Sequence, residues 1–180
     1  MGIVLDKSKS VKNSNLRKVI NFLGELIDKF HPAPDGDHFG FITFHYKANM
    51  VFNFANSQYH DKDALLAKIA SEPIKLELET RTDLALEMAR DKLFSQAGGD
   101  RPEKPNVMIV LTDGKPTKPK NQKNFSFQTF AEGIAEEFKV SILQWSFNWS
   151  FDLSRYSGRL VQTNCCGNQF LFSTHFQHIC

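Results

Sequence analysis

The chain begins with Ile3-Val4-Leu5-Asp6-Lys7-Ser8-Lys9-Ser10, a short apolar run followed directly by a turn of polar residues. The apolar run predicts a buried strand that ends at Asp6. Alternate residues of a tight turn can point the same way, which would bring the Asp6 carboxylate and the hydroxyls of Ser8 and Ser10 to one point. Asp and Ser are also common in ordinary turns and helix caps, so this stretch alone is a weak indication of a site.

Further strands and helices alternate along the chain after this first strand. Residues 107–111 are apolar throughout, as expected of a strand covered by helices on both faces. Residues 14–30 repeat apolar side chains at three- and four-residue spacing, which predicts an amphipathic helix. The other predicted helices cover residues 61–71, 83–95 and 127–138, and the other predicted strands cover residues 39–46, 49–54, 140–143 and, as a final edge strand, 169–173.

This alternation predicts an α/β fold of the Rossmann-like kind, with a mostly parallel central sheet flanked by helices on both faces. Ligands bind such sheets beyond the carboxyl ends of the strands, at the point where the strand order reverses. Asp6 and Asp113 each end a predicted strand at that edge of the sheet. We therefore expect the functional site to lie there.

Five side chains with oxygen atoms are predicted to meet at this edge: Asp6, Ser8, Ser10, Thr82 and Asp113. Two carboxylates and three hydroxyls suit Mg²⁺ or Mn²⁺, because these ions prefer about six oxygen ligands. The set lacks the nitrogen and sulfur atoms that Zn²⁺ prefers. Each residue alone is compatible with a cap or a turn, but their common position predicts a metal site.

Four segments of the chain carry a recognisable pattern: Ile3-Val4-Leu5-Asp6-Lys7-Ser8-Lys9-Ser10-Val11, Phe39-Gly40-Phe41-Ile42-Thr43-Phe44, Thr80-Arg81-Thr82-Asp83-Leu84-Ala85-Leu86 and Val107-Met108-Ile109-Val110-Leu111-Thr112-Asp113-Gly114. These segments resemble von Willebrand factor A domains, the family that includes integrin inserted domains, matrilins and A-domain collagens. The resemblance covers residues 2–140 and implies a metal-ion-dependent adhesion site with Asp6, Ser8, Ser10, Thr82 and Asp113 as its five ligands. It also implies that a Glu or Asp of a partner completes the coordination, and that the strand order reverses beside the first strand.

The resemblance implies an extracellular adhesion module whose partner is a matrix or cell-surface protein, with collagen-like proteins among the candidates. Family members usually carry Gly at the position of Lys9. Lys7 and Lys9 alternate with the ligands, so we expect both to point outward and to attract an acidic partner. We expect Asp6→Ala or Asp113→Ala to abolish metal-dependent binding and to leave the fold intact. The residues expected to contact the partner are Lys7, Lys9, Asp83, Gly114, Lys115 and Pro116.

The C-terminal part of the sequence departs from the family pattern. We expect one domain over residues 1–180, with a divergent or incomplete end over residues 143–180. The strand at 140–143 is not followed by the glycine-containing turn of the family, and no final helix is visible after it. Allosteric switching through that helix is therefore not expected. The apolar start of the chain suggests a domain taken from a longer protein.

Composition narrows the possible functions. The formal net charge is +2 with scattered basic residues, which does not indicate nucleic-acid binding, and no apolar run is long enough to span a membrane. Two N-glycosylation sequons, at Asn124 and Asn148, favour an extracellular location. Cys165, Cys166 and Cys180 either remain free or form one bridge from Cys180 to one of the other two.

Two other classes of function compete with this interpretation. A phosphatase of the aspartyl-phosphate type would use Asp6 as its nucleophile. Such an enzyme needs a second Asp two residues later as acid and base, and this chain has Ser8 there, so we expect no enzymatic activity. The other alternative is an intracellular A domain that serves as a scaffold in a protein complex. All five predicted ligand residues are present in the sequence, which argues against a scaffold domain that no longer binds a metal.

Overall fold

The centre of the fold is a mostly parallel sheet. A computed structural model of the protein describes residues 1–112, 116–120, 133, 140–146 and 160–164, and within these residues six strands belong to one sheet. The strands are β1 (Gly2–Asp6), β2 (Gly40–Phe44), β3 (Ala48–Phe52), β4 (Asn106–Leu111), β5 (Val140–Ser146) and β6 (Leu160–Asn164). They lie in the order β3-β2-β1-β4-β5-β6, and each neighbouring pair is parallel except β2 and β3, which form an antiparallel hairpin.

Helices cover both faces of this sheet, which confirms the predicted fold class. Ile3 and Leu5 of β1 pack into the same apolar cluster as the buried faces of two helices, whereas Val4 packs on the opposite face with a third helix. Within the described ranges, no helix combines the length and apolarity required to cross a membrane. The helices are α1 (Asn13–Ile27), α2 (Lys62–Ala70) and α3 (Thr82–Met88), which continues as a π-helical turn over Ala89–Leu93, and there are short 3-10 turns at Lys9–Val11, Ser57–His60 and Gln96–Gly98.

Most predicted elements are confirmed, with small shifts of their ends. The helices predicted at 14–30 and 61–71 are α1 and α2, and the helix predicted at 83–95 is α3 with its π-helical turn. The strands predicted at 39–46 and 49–54 are β2 and β3. Apart from Gly133, which is helical, the helix predicted over 127–138 lies outside the described residues, and so does the edge strand predicted over 169–173.

The sheet extends further after residue 143 than the sequence pattern predicted. β5 continues to Ser146 and pairs with β4 as far as Leu111 opposite Trp145, so the predicted end at residue 143 was wrong. β6 pairs in parallel with β5, and the sequence analysis did not predict it. Only Leu160 and Val161 of β6 are apolar, so the segment carries little periodic signal, and its placement depends on backbone pairing with β5.

The strand order places the ends of three strands around one point. The chain passes from β1 to β2 on one side and later returns to β4 on the other side of β1. Asp6 is opposite Phe44 of β2, and Leu5 is opposite Leu111 of β4. The order therefore reverses beside β1, as predicted, and the segments that follow β1, β2 and β4 meet at one edge. We call this edge the carboxyl edge.

At the other edge of the sheet, the surroundings of His38 disfavour the protonated form of its ring. The His38 ring stacks on the His60 ring with 3.7 Å between centroids, and its Nε2 donates to the Pro34 carbonyl oxygen at 3.0 Å. Its Nδ1 is buried and has no hydrogen-bond partner within the described residues. Burial lowers the pKa of His38 from the usual 6.5, because a proton added at Nδ1 would be poorly solvated.

We expect the free energy of unfolding to decrease as the pH falls below about 6.5. The unfolded chain takes up the proton first, so the stability that neutral His38 provides is complete above the unfolded pKa and is lost towards the lower pKa of the folded state. His38→Phe, which keeps an aromatic ring beside His60, is expected to reduce this decrease. Burial also lowers the pKa of His45, whose contribution the variant retains. Urea unfolding at about pH 7.5 and about pH 5 measures the free energy of unfolding of the wild type and of His38→Phe. An identical pH dependence in the two proteins would contradict the prediction.

Candidate metal centre

The Asp6 carboxylate lies at the centre of the carboxyl edge. It is fully buried at the end of β1. Its Oδ1 accepts a hydrogen bond from the Ser8 amide at 2.7 Å, and its Oδ2 accepts one from the Thr112 hydroxyl at 2.6 Å. Thr112 is adjacent because Leu5 and Leu111 are paired in the parallel ladder between β1 and β4. The carboxylate is therefore oriented by donors from two neighbouring segments.

The hydroxyl groups of Ser8 and Ser10 meet in the turn that follows Asp6. Their Oγ atoms are 2.8 Å apart, with Ser8 buried and Ser10 exposed. Ser8 has an extended backbone conformation, and the 3-10 turn Lys9–Val11 begins immediately after it. Val11 is buried in the apolar cluster that also contains α1, so it anchors the far end of the turn. The two hydroxyls consequently lie on the same side of the turn, one of them accessible to solvent.

Backbone hydrogen bonds fix this turn between β2 and a second loop. The Lys7 amide donates to the Phe44 carbonyl oxygen at the end of β2, at 2.7 Å. The Lys9 amide donates to the Glu77 carbonyl oxygen at 2.8 Å, and the Glu77 amide donates to the Lys7 carbonyl oxygen at 3.0 Å. These bonds form an isolated parallel bridge between Ser8 and Glu77. The loop that leads to α3 is thereby attached to the turn that carries Ser8 and Ser10, which we call the serine turn.

Thr82 reaches the carboxyl edge at the start of α3. The preceding Arg81 amide donates to the carbonyl oxygen of His45, just beyond β2, at 2.8 Å. Thr82 is the first residue of α3 and is 1% exposed. The Arg81 guanidinium binds both carboxylate oxygens of Asp83, with a shortest contact of 2.6 Å. The start of α3 is therefore held in place by one backbone bond and one ion pair.

The segment after β4 is anchored on both sides of the predicted ligand at position 113. Residues 113–115 themselves lie outside the described residues. On one side, the Thr112 hydroxyl is bound to the Asp6 carboxylate. On the other side, the Thr117 amide donates to the Thr80 carbonyl oxygen at 2.8 Å, and the Thr117 hydroxyl accepts from the Thr80 amide at 3.0 Å. Both flanks are thus attached to segments that carry the other predicted ligands.

Two residues predicted to contact a partner are instead buried in ion pairs. Lys7 is 6% exposed, and its Nζ lies 3.0 Å from Oε1 of Glu72. Asp83 is 4% exposed and is paired with Arg81. The prediction that Lys7 points outward to a partner was wrong, because the residues after α2 cover that side of the turn. Alternation in the sequence fixes the side of a turn but does not show whether another segment covers it.

The remaining predicted contact residues differ in accessibility. Lys9 is exposed beside the serine turn, in agreement with the predicted outward direction of its side chain. Pro116 is half-buried at the beginning of the described segment 116–120. Gly114 and Lys115 lie outside the described residues. Lys9 is therefore the fully accessible member of this set in the described part of the chain.

The oxygen atoms at this edge fit a small, hard divalent cation. Adjacent ligands of an octahedral Mg²⁺ ion with bonds near 2.1 Å are about 3.0 Å apart. The 2.8 Å between the Oγ atoms of Ser8 and Ser10 is close to that separation. No three His, Cys, Asp or Glu side chains among the described residues form a group that could hold a metal. A site built from described residues therefore depends on hydroxyl groups.

Sequence reasoning missed two residues that support this edge. Thr112 orients Asp6, and its position between Asp113 and the end of a strand parallel to β1 was a usable signal. Glu72 binds Lys7 across 65 positions of the chain, and nothing in the local sequence pattern indicates that contact. Both residues act on the ligand-bearing segments without belonging to the predicted ligand set.

Comparisons with known proteins show what this chain is similar to. A family model described as von Willebrand factor type A domain matches residues 1–143. Matrilin-1 of Bos taurus is 31% identical over 142 residues, which cover 77% of this chain and 25% of matrilin-1. The chain spans about a quarter of the length of the first curated relatives that it matches.

Two solved structures share the fold. Proximal thread matrix protein 1 from the mussel byssus, with a zinc-occupied MIDAS motif, superposes with a TM-score of 0.73 and 20% identity over 91% of this chain and 43% of that chain. Manganese-loaded TRAP protein of Plasmodium vivax gives a TM-score of 0.69 and 17% identity over 91% of this chain and 67% of that chain. At these identities the similarity establishes the fold alone.

Proposed function

The chain belongs to the von Willebrand factor type A domain family, and from that premise we propose that it is a metal-dependent adhesion module. A divalent ion, Mg²⁺, binds at the carboxyl edge, and a Glu or Asp side chain of a protein partner takes a remaining coordination position. The proposed ligands are Asp6, Ser8, Ser10, Thr82 and Asp113.

One observation carries this proposal: the turn after β1 groups an oriented carboxylate with two hydroxyls at ligand spacing. Asp6 is fully buried and receives hydrogen bonds from the Ser8 amide and the Thr112 hydroxyl. Carboxylates that bind metals are commonly held by such donors, which fix the direction of the ligand oxygen. The Ser8 and Ser10 hydroxyls, 2.8 Å apart, provide two further ligands in the same turn.

Oxygen-only chemistry favours Mg²⁺, with Mn²⁺ as the alternative ion. The structural neighbours named above contain zinc and manganese, which supports binding of a divalent ion at this position. The bound ion would supply a positive charge with coordination positions open to a carboxylate. Among the described residues, the Thr117 amide is bound to Thr80 and the Arg81 amide to His45, so the chain is fixed close to both proposed ligands Asp113 and Thr82.

A protein of the extracellular matrix or cell surface is the proposed partner, and the proposed location is extracellular. Similarity to matrilin-1 and to a thread matrix protein supports this class of partner. Lys9 and Pro116, together with Gly114 and Lys115, form the proposed rim of the contact. Residues 1–180 are proposed to act as one such domain, without catalytic activity.

A solid-phase binding assay tests this function. The purified chain is applied to immobilised collagen and to decellularised matrix, in Mg²⁺ and in EDTA. We expect retention in Mg²⁺, loss in EDTA, and at least about tenfold weaker retention of Asp113→Ala. Asp35→Ala, at an exposed residue between α1 and β2 at the opposite edge of the sheet, is the matched control and is expected to behave like the wild type. Retention that survives both EDTA and Asp113→Ala would contradict the proposed function.

A further inference from the structure

Two large apolar side chains are exposed in the part of the chain that the structure describes. Tyr46 is 48% exposed and Leu78 is 66% exposed, and no other large hydrophobic residue of the described ranges is exposed to this degree. A single exposed apolar residue is ordinary, but two at one functional edge of a domain indicate a contact surface. Both residues lie at the carboxyl edge.

The loops of Tyr46 and Leu78 are attached to the predicted metal site. Tyr46 lies at the tip of the β2–β3 hairpin, where its amide donates to Nδ1 of His45 at 2.9 Å. The His45 carbonyl oxygen accepts a hydrogen bond from the amide of Arg81, the residue directly before the predicted ligand Thr82. Leu78 follows Glu77, which exchanges backbone hydrogen bonds with both sides of the serine turn. The two apolar side chains are therefore presented by segments that also hold ligand residues.

Positive charge accompanies these apolar side chains. Lys9 is exposed in the serine turn, and Nζ of Lys47 lies 5.6 Å from the centroid of the Tyr46 ring. Neither lysine forms an ion pair in the described ranges, whereas the exposed Lys75 is paired with Glu77 at 2.9 Å. Glu79 has no such pair among the described residues, and it lies close enough to Arg81 to raise the pKa of that guanidinium, after the larger effect of Asp83. An incoming chain thus meets two cations, two apolar groups and the metal site together.

We propose that Tyr46, Leu78, Lys9 and Lys47 form a specificity surface around the metal site. The occupant is a peptide segment of the partner protein in which the coordinating Asp or Glu is followed by an aromatic or large aliphatic residue and flanked by further acidic residues. The apolar residue of the segment packs on Tyr46 and Leu78, and the flanking acids face Lys9 and Lys47. This inference rests on the proposed metal-dependent function and adds the chemistry of the partner to it.

The apolar pair distinguishes this occupant from a sulfated polysaccharide. Sulfate groups are bound mainly by cationic side chains and N–H donors, and an aliphatic side chain such as Leu78 adds little to that contact. A peptide gains from both, because aromatic and aliphatic anchors with a charged rim are the usual composition of protein contacts. The combination of apolar and cationic side chains therefore favours a peptide over a sulfated polysaccharide.

Immobilised synthetic peptides test this inference. The parent peptide carries a central Asp, a Phe beside it and Glu on its flanks. Three further peptides each change one of these features: Ser replaces Phe, Ser replaces the flanking Glu, or Asn replaces the central Asp. In Mg²⁺ the wild-type chain is expected to bind the peptide with Asp, Phe and Glu at least about tenfold more tightly than the peptide with Ser in place of Phe. The double variant Tyr46→Ser/Leu78→Ser should lose this preference and keep weaker, Mg²⁺-dependent binding. Lys9→Ser/Lys47→Ser should lose the preference for Glu, and Lys29→Ser, exposed beyond the end of α1, should change neither.

The outcomes separate this inference from the proposed function. Mg²⁺-dependent binding that is equal for the Phe and Ser peptides would overturn the specificity surface and leave the metal-dependent capture of a carboxylate intact. Binding that does not distinguish Asp from Asn, or that persists in EDTA, would overturn both. Absence of binding to every peptide would overturn the inference. Retention on immobilised heparin that requires Lys9 and Lys47 but not Tyr46 and Leu78 would assign the surface to a polysaccharide and would also overturn it.

Discussion

Asp6→Ala is expected to eliminate Mg²⁺ binding and also to lower the free energy of unfolding by about 2–4 kcal/mol. The side chain is fully buried, and its removal takes away the oxygen atoms to which the Ser8 amide and the Thr112 hydroxyl donate. Each buried donor that loses its partner costs about 1–3 kcal/mol. The sequence analysis expected this variant to leave the fold intact, and the burial of Asp6 changes that expectation. Urea unfolding in EDTA isolates the effect on the fold from the effect on the metal.

Asp6→Asn separates the two roles of this residue. The amide keeps a carbonyl oxygen that can accept one of the two hydrogen bonds, so part of the stability in EDTA is expected to return. The negative charge is absent, so added Mg²⁺ should stabilise the variant much less than the wild type. A ligand present at 100 times its dissociation constant stabilises the folded state by about 2.7 kcal/mol, which is readily measured. Equal stabilisation of the wild type and Asp6→Asn by Mg²⁺ would contradict the role of Asp6 as a ligand.

Lys7→Ala is expected to lower the free energy of unfolding by about 3 kcal/mol. The side chains of Lys7 and Glu72 are only 8% and 11% exposed, so the variant leaves a carboxylate buried without its ammonium partner. Lys9→Ala, two residues along the same turn and exposed, should change the free energy by no more than about 0.5 kcal/mol. Urea unfolding of the two variants in EDTA makes the comparison.

The double variant Lys7→Met/Glu72→Met tests the cause of this effect. It removes both charges from the buried pair, and we expect it to recover most of the stability lost in Lys7→Ala. A loss in Lys7→Ala no larger than that in Lys9→Ala would show that the ion pair contributes nothing to the fold. An equal loss in the single and double variants would assign the effect to packing instead of charge.

The fold was predictable because its inner strands are covered on both faces. Ile3–Leu5 of β1 and Val107–Leu111 of β4 are apolar, and the side chains of Ile3 and Val4 pack into different clusters on the two faces of the sheet. α1 buries Leu16, Val19, Leu23 and Ile27 at the spacing that the sequence shows. Burial of this kind leaves a periodic signal in the sequence. β6 lies at the sheet edge with two apolar residues, so it left no such signal.

The candidate site was predictable only in part, for a related reason. Parallel strands that end beside each other bring Asp6 and the residues after β4 together, so a strand prediction also places those residues. Contacts between distant loops follow no periodic rule. The pairing of Lys7 with Glu72, the bridge from Ser8 to Glu77, and the exposure of Leu78 all depend on the path of the loop before α3. The sequence therefore indicates the proposed ligands more clearly than the surface around them.

Calorimetric titration of Mg²⁺ tests the central claim most directly, with the wild type, Asp113→Ala and the control Asp35→Ala measured side by side. Asp113 is the predicted ligand whose segment is anchored by Thr112 and Thr117. The account predicts saturable binding of one ion to the wild type and to Asp35→Ala, and none to Asp113→Ala at the same concentrations. The absence of binding to a folded wild type, or equal binding to Asp113→Ala, would contradict a metal site at the carboxyl edge.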